Sequence, residues 1–376
     1  MPLIPAFFTV LAAFVPLPMP FLTALKEIHV ETSTDSAAVF RLQFDLSQTT
    51  LGDWDVLQFD IFRPLVPVQV RISLGIGLSE TVINGYVREA RLSNRNEPGQ
   101  STLKVTGMDA TGTLMNHIEM SLPRFGPDNA IASMIFGQYG ITPIAMPTPS
   151  VRVPVQTTTI QRGTDIRFLK RLARRYGYEC YVQPDPLIGT DFGYFGPPKI
   201  MMPPQGVLSV NFGISTNMQN FHVSYDMLRP TSALAVAIDP STKVPTPGIA
   251  PAALEPPMGL EPSLLRILLP PIVRPAGTDA ANPAELVATA QGIVNRSSRC
   301  IRGTGEVDGL KFGHVMRPGL PVLVRGAGRE HSGLYYVTQV SHTISREGYS
   351  QTFQAWRNAV GLTGAEIFID PMAALA

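Results

Sequence analysis

The chain has 376 residues, enough for two or three domains at roughly 150 residues each. Its 30 basic and 29 acidic residues leave a net charge of +1, without the positive field of a dedicated nucleic-acid binder, although a passive channel for DNA needs none. Only 16% of residues are charged against 44% hydrophobic, the composition of a β protein with glycine and proline turns or of a surface covered by partners; the two distant cysteines, Cys180 and Cys300, exclude a disulfide framework and a structural zinc site and read as buried thiols of a protein made in a reducing cytoplasm.

Residues 1–24 are apolar up to the first charge at Lys26. Pro2, Pro5, Pro16, Pro18 and Pro20 interrupt the run, and each interior proline costs a helix about 3 kcal/mol. A signal peptide would open with a positive region, which is absent. The segment therefore reads as an extended arm packed on a neighbouring subunit, with a membrane or export segment as the alternative.

From residue 25 to 114 the pattern is β. Phe40, Leu42, Phe44 and Leu46 alternate with polar residues, as do Val68, Val70 and Ile72, then Val82 to Leu92, then Leu103 and Val105. Asn84-Gly85 and Pro98-Gly99 read as turns or bulges. Short strands at this spacing predict a small barrel or sandwich.

Residues 115–205 are mixed α and β. Pro127-Asp128 opens a helix ending near Gly140. Thr164 is the expected N-cap of a second helix, with Asp165 at its positive end and Ile166, Leu169, Leu172, Ala173 and Tyr176 on one face. Gly177 stops it, and a strand follows from Tyr178 to Val182. One or two strands over 207–227 would complete the first β domain through residues 206–228.

Residues 229–283 are Pro-rich and read as a linker or extended segment, but Leu264, Leu265, Ile267, Leu268 and Leu269 are too apolar for a solvated one. Asn282-Pro283 opens a helix faced by Leu286, Val287, Ala290 and Val294. A second β domain is assigned to 284–362, its strands running from about Gly305 to Gly361, and a C-terminal tail to 363–376.

The second β region resembles the first. Val68-Gln69-Val70-Arg71 aligns with Val322-Leu323-Val324-Arg325. Asn84-Gly85-Tyr86-Val87 aligns with Ser332-Gly333-Leu334-Tyr335, or after a shift with Tyr336-Val337. Gly99 and Gly348 then mark a turn before Thr102 to Val105 and Thr352 to Ala355. This is the signature of a duplicated module. Two such modules per chain would let a trimer present six similar docking surfaces.

Three stretches carry a family resemblance: Gly163 to Val182; Arg317-Pro318-Gly319 with Val322 to Val324 and Gly326; and Ser332 to His342 with Gly348-Tyr349 and Phe353 to Arg357. Together they resemble the phage late control D family, which holds the baseplate hubs of contractile tails and the hub portion of type VI spike proteins. The resemblance implies a mainly β fold with an α+β insertion: two tube-protein-like β-barrel domains around a middle α+β domain, trimeric about a channel. Gly85, Gly177, Gly319, Gly333, His342, Gly348, Tyr349 and Arg357 would be its fold-signature residues. It also implies a virion component of the tail tip, assembled in the bacterial cytoplasm. Its partners would be itself, the tail tube or tube initiator, a separate spike, other baseplate proteins and, passively, DNA, with no membrane insertion of its own. The Pro-rich stretch and the apolar N-terminus are long for that family, and no β-helical spike follows the second domain.

No catalytic, cofactor or metal residue stands out. Gly75-Ile76-Gly77, Gly303-Thr304-Gly305 and Gly326-Ala327-Gly328 complete no phosphate loop. His29, His117, His222, His314, His331 and His342 lack close ligand spacing, although His331 and His342 would meet on paired strands; His342 is expected in a structural hydrogen bond. Glu306 with Asp308, and Asp53 with Asp55, read as turn acids in loops. Arg167, Lys170, Arg171, Arg174 and Arg175 charge the outer face of the second helix, as a solvated face, a partner contact or a lumen surface. The competing functions are a tail-associated cell-wall hydrolase and a host-surface carbohydrate-binding protein, the latter with only Trp54 and Trp356 to offer as tryptophan platforms.

Overall fold

A computed structural model describes residues 6–50, 52–56, 61–74, 79–97, 99–149, 159–238, 243–275 and 282–368. Pro98 and the Gly75-Ile76-Gly77 pair lie outside them, as do residues 1–5 and the last eight of the C-terminal tail.

The fold is mainly β, and one 13-stranded sheet runs through it. The N-terminal module has five strands in chain order: Leu25–Ser33, Val39–Asp45, Pro67–Leu74, Glu80–Ser93 and Thr102–Met108. The C-terminal module also has five: Met218–Tyr225, Ile301–Asp308, Pro321–Arg325, Gly333–Ser345 and Gly348–Arg357. The strands of 206–228, expected to complete the first β domain, thus pair within the second: Val207–Ser209 with Pro321–Arg325 and Met218–Tyr225 with Ile301–Asp308. In both, the pairing runs first, second, fifth, fourth, third. Each first strand carries a bulge near its start, at Leu25/Glu27 and Met218/Asn220. Each fourth strand carries one where it turns from the third strand towards the fifth, at Val87/Glu89 and Val337/Gln339. Bulges at matching places set the same kink in both modules. The duplication read from the sequence is thus present in the wiring.

The paired registers refine the alignment. Pro67-Val68 matches Pro321-Val322, and Tyr86-Val87 matches Tyr336-Val337, the shifted alternative. On the fifth strand Val105 matches Phe353, two residues from the alignment expected from Thr102 and Thr352. On the first strand Ile28-His29-Val30 matches Phe221-His222-Val223. Asn84-Gly85 is not a turn. It lies inside the strand Glu80–Ser93, where the Phe40 ring needs the space a Cβ would take at 2.7 Å. Glu306 and Asp308 likewise belong to the strand Ile301–Asp308 rather than to a loop, although Asp308 also caps the short helix Gly309–Phe312.

The modules join where Leu25–Ser33 pairs antiparallel with the second half of Gly333–Ser345. The core of the N-terminal module also takes in the apolar N-terminal segment. Ala6–Ala12 pairs with Pro67–Leu74 of the same chain, and the short helix Met19–Ala24 sends Phe21 edge-on against Phe44 and Phe62. From Ala6 onward the segment is therefore part of its own module and not the arm on a neighbouring subunit that was expected. No described helix is long and apolar enough to cross a membrane.

Between the modules, Asp128–Gln138 and Asp165–Tyr176 pack on a three-stranded sheet of Thr142–Ala145, Asp191–Gly196 and Glu179–Pro184. The second helix buries the predicted face together with Phe168, and Gly177 closes it at φ 71°. Thr164 occupies the N-cap, but its hydroxyl donates to Asn116 instead of accepting from the helix. The Pro-rich stretch contains an antiparallel pair of strands, Ser232–Ile238 and Pro245–Ala250, where a linker or extended segment was expected. Ala233, Ala235 and Ala250 of that pair pack on Leu286, Ala290 and Val294 of the helix Pro283–Ser298. This strand pair and helix interrupt the C-terminal module between its first and second strands.

Candidate functional site

The basic helix Asp165–Tyr176 lies where three parts of the chain meet. Arg167 pairs with Glu119 at 2.9 Å, both exposed, a contact worth at most about 1 kcal/mol. Lys170 donates to the Asp35 carbonyl at 2.7 Å, and burial holds its pKa below the ordinary lysine value. Arg171 lies over the Phe168 ring at 5.5 Å. Arg175 meets the buried Glu285 at 3.4 Å, and the Arg174 carbonyl accepts from Arg296. Four of the five basic side chains thus touch groups of their own chain, and two of them, Lys170 and Arg175, tie the helix to the loop after Leu25–Ser33 and to Pro283–Ser298. Arg174 is exposed. Gly177 and Gly292 bring these two helices into backbone contact; a Cβ on Gly292 would lie 2.6 Å from the Gly177 nitrogen.

A second polar cluster fastens the middle domain to the C-terminal module. Tyr336 donates to Glu179 at 2.5 Å. Burial raises the Glu179 carboxyl to about 7, with nearby Arg299 pulling the other way. Arg299 bonds both carboxylate oxygens of Glu255, donates to the Gly177 carbonyl and lies 4.8 Å over the Trp356 ring. Lys199 sits 4.1 Å over Tyr194, close to Tyr181 and Phe192. Neither Glu179 nor Arg299 was singled out in the sequence, because their partners lie far along the chain.

Of the eight residues expected as a fold signature, Gly85 lies in the N-terminal module and Gly177 in the middle domain, and the other six fall in the C-terminal module. Arg357 is fully buried and donates to the carbonyls of Ser332, Met258 and Gly361, so one guanidinium ties three segments. A Cβ on Gly333, at φ 127°, would meet that guanidinium at 3.2 Å. Gly319, at φ 83°, allows the Tyr181 hydroxyl to approach. Gly348 turns the hairpin between the fourth and fifth strands at φ 141°. His342 shares a 2.9 Å hydrogen bond with Tyr349 and stacks on it, the structural bond expected of it. Burial drives its pKa down to about 3. Both cysteines are free and buried, and burial pushes the Cys180 thiol up to about 12.

Among the described residues no group of three or more His, Cys, Asp or Glu is placed to hold a metal. The distinctive geometry is the seam between modules. One face of it pairs Ile28 with Ile344, Val30 with His342 and Thr32 with Val340. The other is polar: His29 meets Ser341 at 3.2 Å and Thr343 at 3.3 Å, and Gln339 donates to Glu31 at 2.8 Å.

No protein-family model and no curated protein matches the sequence. Solved structures do match the fold. The tail protein of Neisseria meningitidis MC58 is similar at 14% identity, over 94% of this chain and 97% of that one, with a TM-score of 0.64. The 43 kDa tail protein of prophage MuSo2 from Shewanella oneidensis matches at 15% identity, over 94% and 99%, with a TM-score of 0.61. An E. coli component of the type VI secretion system, itself structurally similar to T4 bacteriophage tail proteins, matches at 11% identity, over 89% and 73%, with a TM-score of 0.52. The chain has the fold of phage tail proteins and of type VI hub-like components.

Proposed function

We propose that the chain is the structural hub at the tip of a contractile phage tail or a related injection device. Three copies form a ring around the delivery channel. One end of the ring receives the sixfold tail tube and the other a separate threefold spike. The observation that carries this reading is the pair of identically wired β modules in one sheet, because three such chains offer six similar modules to a sixfold tube while the ring keeps threefold symmetry for the spike. The likeness to tail proteins over nearly the whole chain supports the same reading.

The role is mechanical and not catalytic. The hub is made in the bacterial cytoplasm and ends in the virion, where DNA passes through it without being read. Its exposed Arg174 is a point for other baseplate proteins to engage. Co-expression with the tube and spike proteins of the same particle tests the proposal. A tagged tube protein should capture the spike only when this chain is present. Capture without it, or clearing of peptidoglycan by the purified chain in a zymogram, contradicts the hub role.

A further inference from the structure

The seam inside the chain has an unfilled counterpart at the outer ends of the two modules. Within the chain, the first strand of the N-terminal module pairs with the second half of the fourth strand of the C-terminal module. The equivalent elements with roles exchanged are Met218–Tyr225 and the second half of Glu80–Ser93. Among the described residues, Met218–Tyr225 pairs only with Ile301–Asp308 and leaves its other edge open. Residues 89–93 pair only with Thr102–Met108, and residues 88–93 are all exposed. Their equivalents from Gln339 onward are half-buried or buried by the seam.

We infer that the strand segment Glu89–Ser93 of one copy pairs antiparallel with Met218–Tyr225 of the next copy, repeating between chains the seam found within each chain. The inference rests on the ring reading above and fixes which edges make the ring. The register follows from the matched bulges. It sets Ala90 opposite Tyr225, Arg91 opposite Ser224, Leu92 opposite Val223 and Ser93 opposite His222.

The side chains agree with that register. Leu92, 41% exposed in the single chain, meets Val223, and Ala90 meets Tyr225, which makes one face apolar. Arg91, Ser93, Ser224 and His222 make the other face polar. Inside the chain, Val30 stands where Val223 would, and His29 stands where the exposed His222 would. His29 meets Thr343 at 3.3 Å, and the residue equivalent to Thr343 is Ser93, a second hydroxyl. Strand addition at an open edge is a standard mode of protein recognition, and a one-residue slip would send every side chain to the wrong face. A head-to-tail contact of this kind uses different surfaces on the two partners, so it can be repeated from copy to copy and gives a ring when three repeats close.

The test is cross-linking of the full-length chain carrying Leu92→Cys and Val223→Cys, using a short bifunctional thiol reagent, with the solution mass measured on the same sample. Cys180 and Cys300 are buried and give the background. The expected result is conversion of most of the chain to covalent dimers and trimers on a denaturing gel, with at least tenfold less when Leu92→Cys is combined with Gln219→Cys, four residues out of register. A three-chain particle that does not cross-link, or cross-links equally in both variants, overturns this pairing and leaves the hub reading standing. A chain monomeric at every concentration overturns both. Leu92→Asp provides a second readout. It should raise the concentration needed for assembly at least tenfold with an unchanged circular dichroism spectrum, and assembly like the parent overturns the pairing.

Discussion

The two β modules share one strand order and matching bulges, yet they fill their cores from opposite sides. In the N-terminal module the ring sits on the second strand: Phe40 reaches across Gly107 and Gly85, where Cβ atoms would lie 2.4 Å and 2.7 Å from it. In the C-terminal module the equivalent of Phe40 is Gly303, and the ring comes from the fourth strand as Tyr335, which stands where Gly85 does. One layer along, Ile28, Leu42 and Val105 are replaced by Phe221, Gly305 and Phe353, whose two rings stack across the glycine at 6.2 Å. Volume is conserved at each site while its distribution among strands is not. A core needs the sum to be right and tolerates many ways of reaching it. Duplicated wiring therefore outlives duplicated sequence.

The comparison breaks most sharply at the rings. Phe40→Ala and Tyr335→Ala should each cost about 3–5 kcal/mol in denaturant unfolding, since each empties a fully buried site. The exchange Phe40→Gly with Gly85→Tyr builds the second module's arrangement into the first. It should lose at least about 1 kcal/mol less than the two single changes summed. Additive losses would show that the modules are not interchangeable at this site.

Titration separates the seam from the domain contact by sign. His342 is held near 3 against an ordinary 6.5, so the unfolded chain binds the extra proton and stability is lost as pH falls from 6.5 towards 3. The gap between the parent and His342→Gln should narrow at pH 4. Glu179 is raised to about 7 from 4.5, so the native state holds the extra proton and stability is lost as pH rises from 4.5 through 7. Glu179→Gln should gain on the parent between pH 5 and pH 8. Each effect is followed by chemical denaturation across pH.

Gly107→Ala should cost about 1–3 kcal/mol, because both the Phe40 ring and the Tyr86 carbonyl stand 2.4 Å from the new Cβ. Gly303→Ala meets its neighbours at 3.0 Å and 3.1 Å and should cost less. Arg167→Ala, at an exposed ion pair, should change stability by under about 1 kcal/mol.

Alternation made most of the long strands legible, and the helix Asp165–Tyr176 was readable from its face and its glycine stop. The Pro-rich strand pair was not, because it packs alanines inward and leaves Val236, Ile238 and Ile249 exposed, the reverse of the usual pattern. Gly85 read as a turn or bulge because a glycine that admits a distant ring looks the same in sequence as one that bends the chain. The polar contacts of Glu179 and Arg299 join residues far apart along the chain, which no local pattern encodes. The matching His-Val pairs at 29–30 and 222–223 were in plain view but meant nothing until the strand registers aligned them.

Averaged end-on electron-microscope images of the purified full-length particle test the central claim most directly. The expected image is a ring of threefold symmetry whose rim shows six nearly equal lobes, two from each chain. A twofold particle, or a ring with three lobes only, would contradict it.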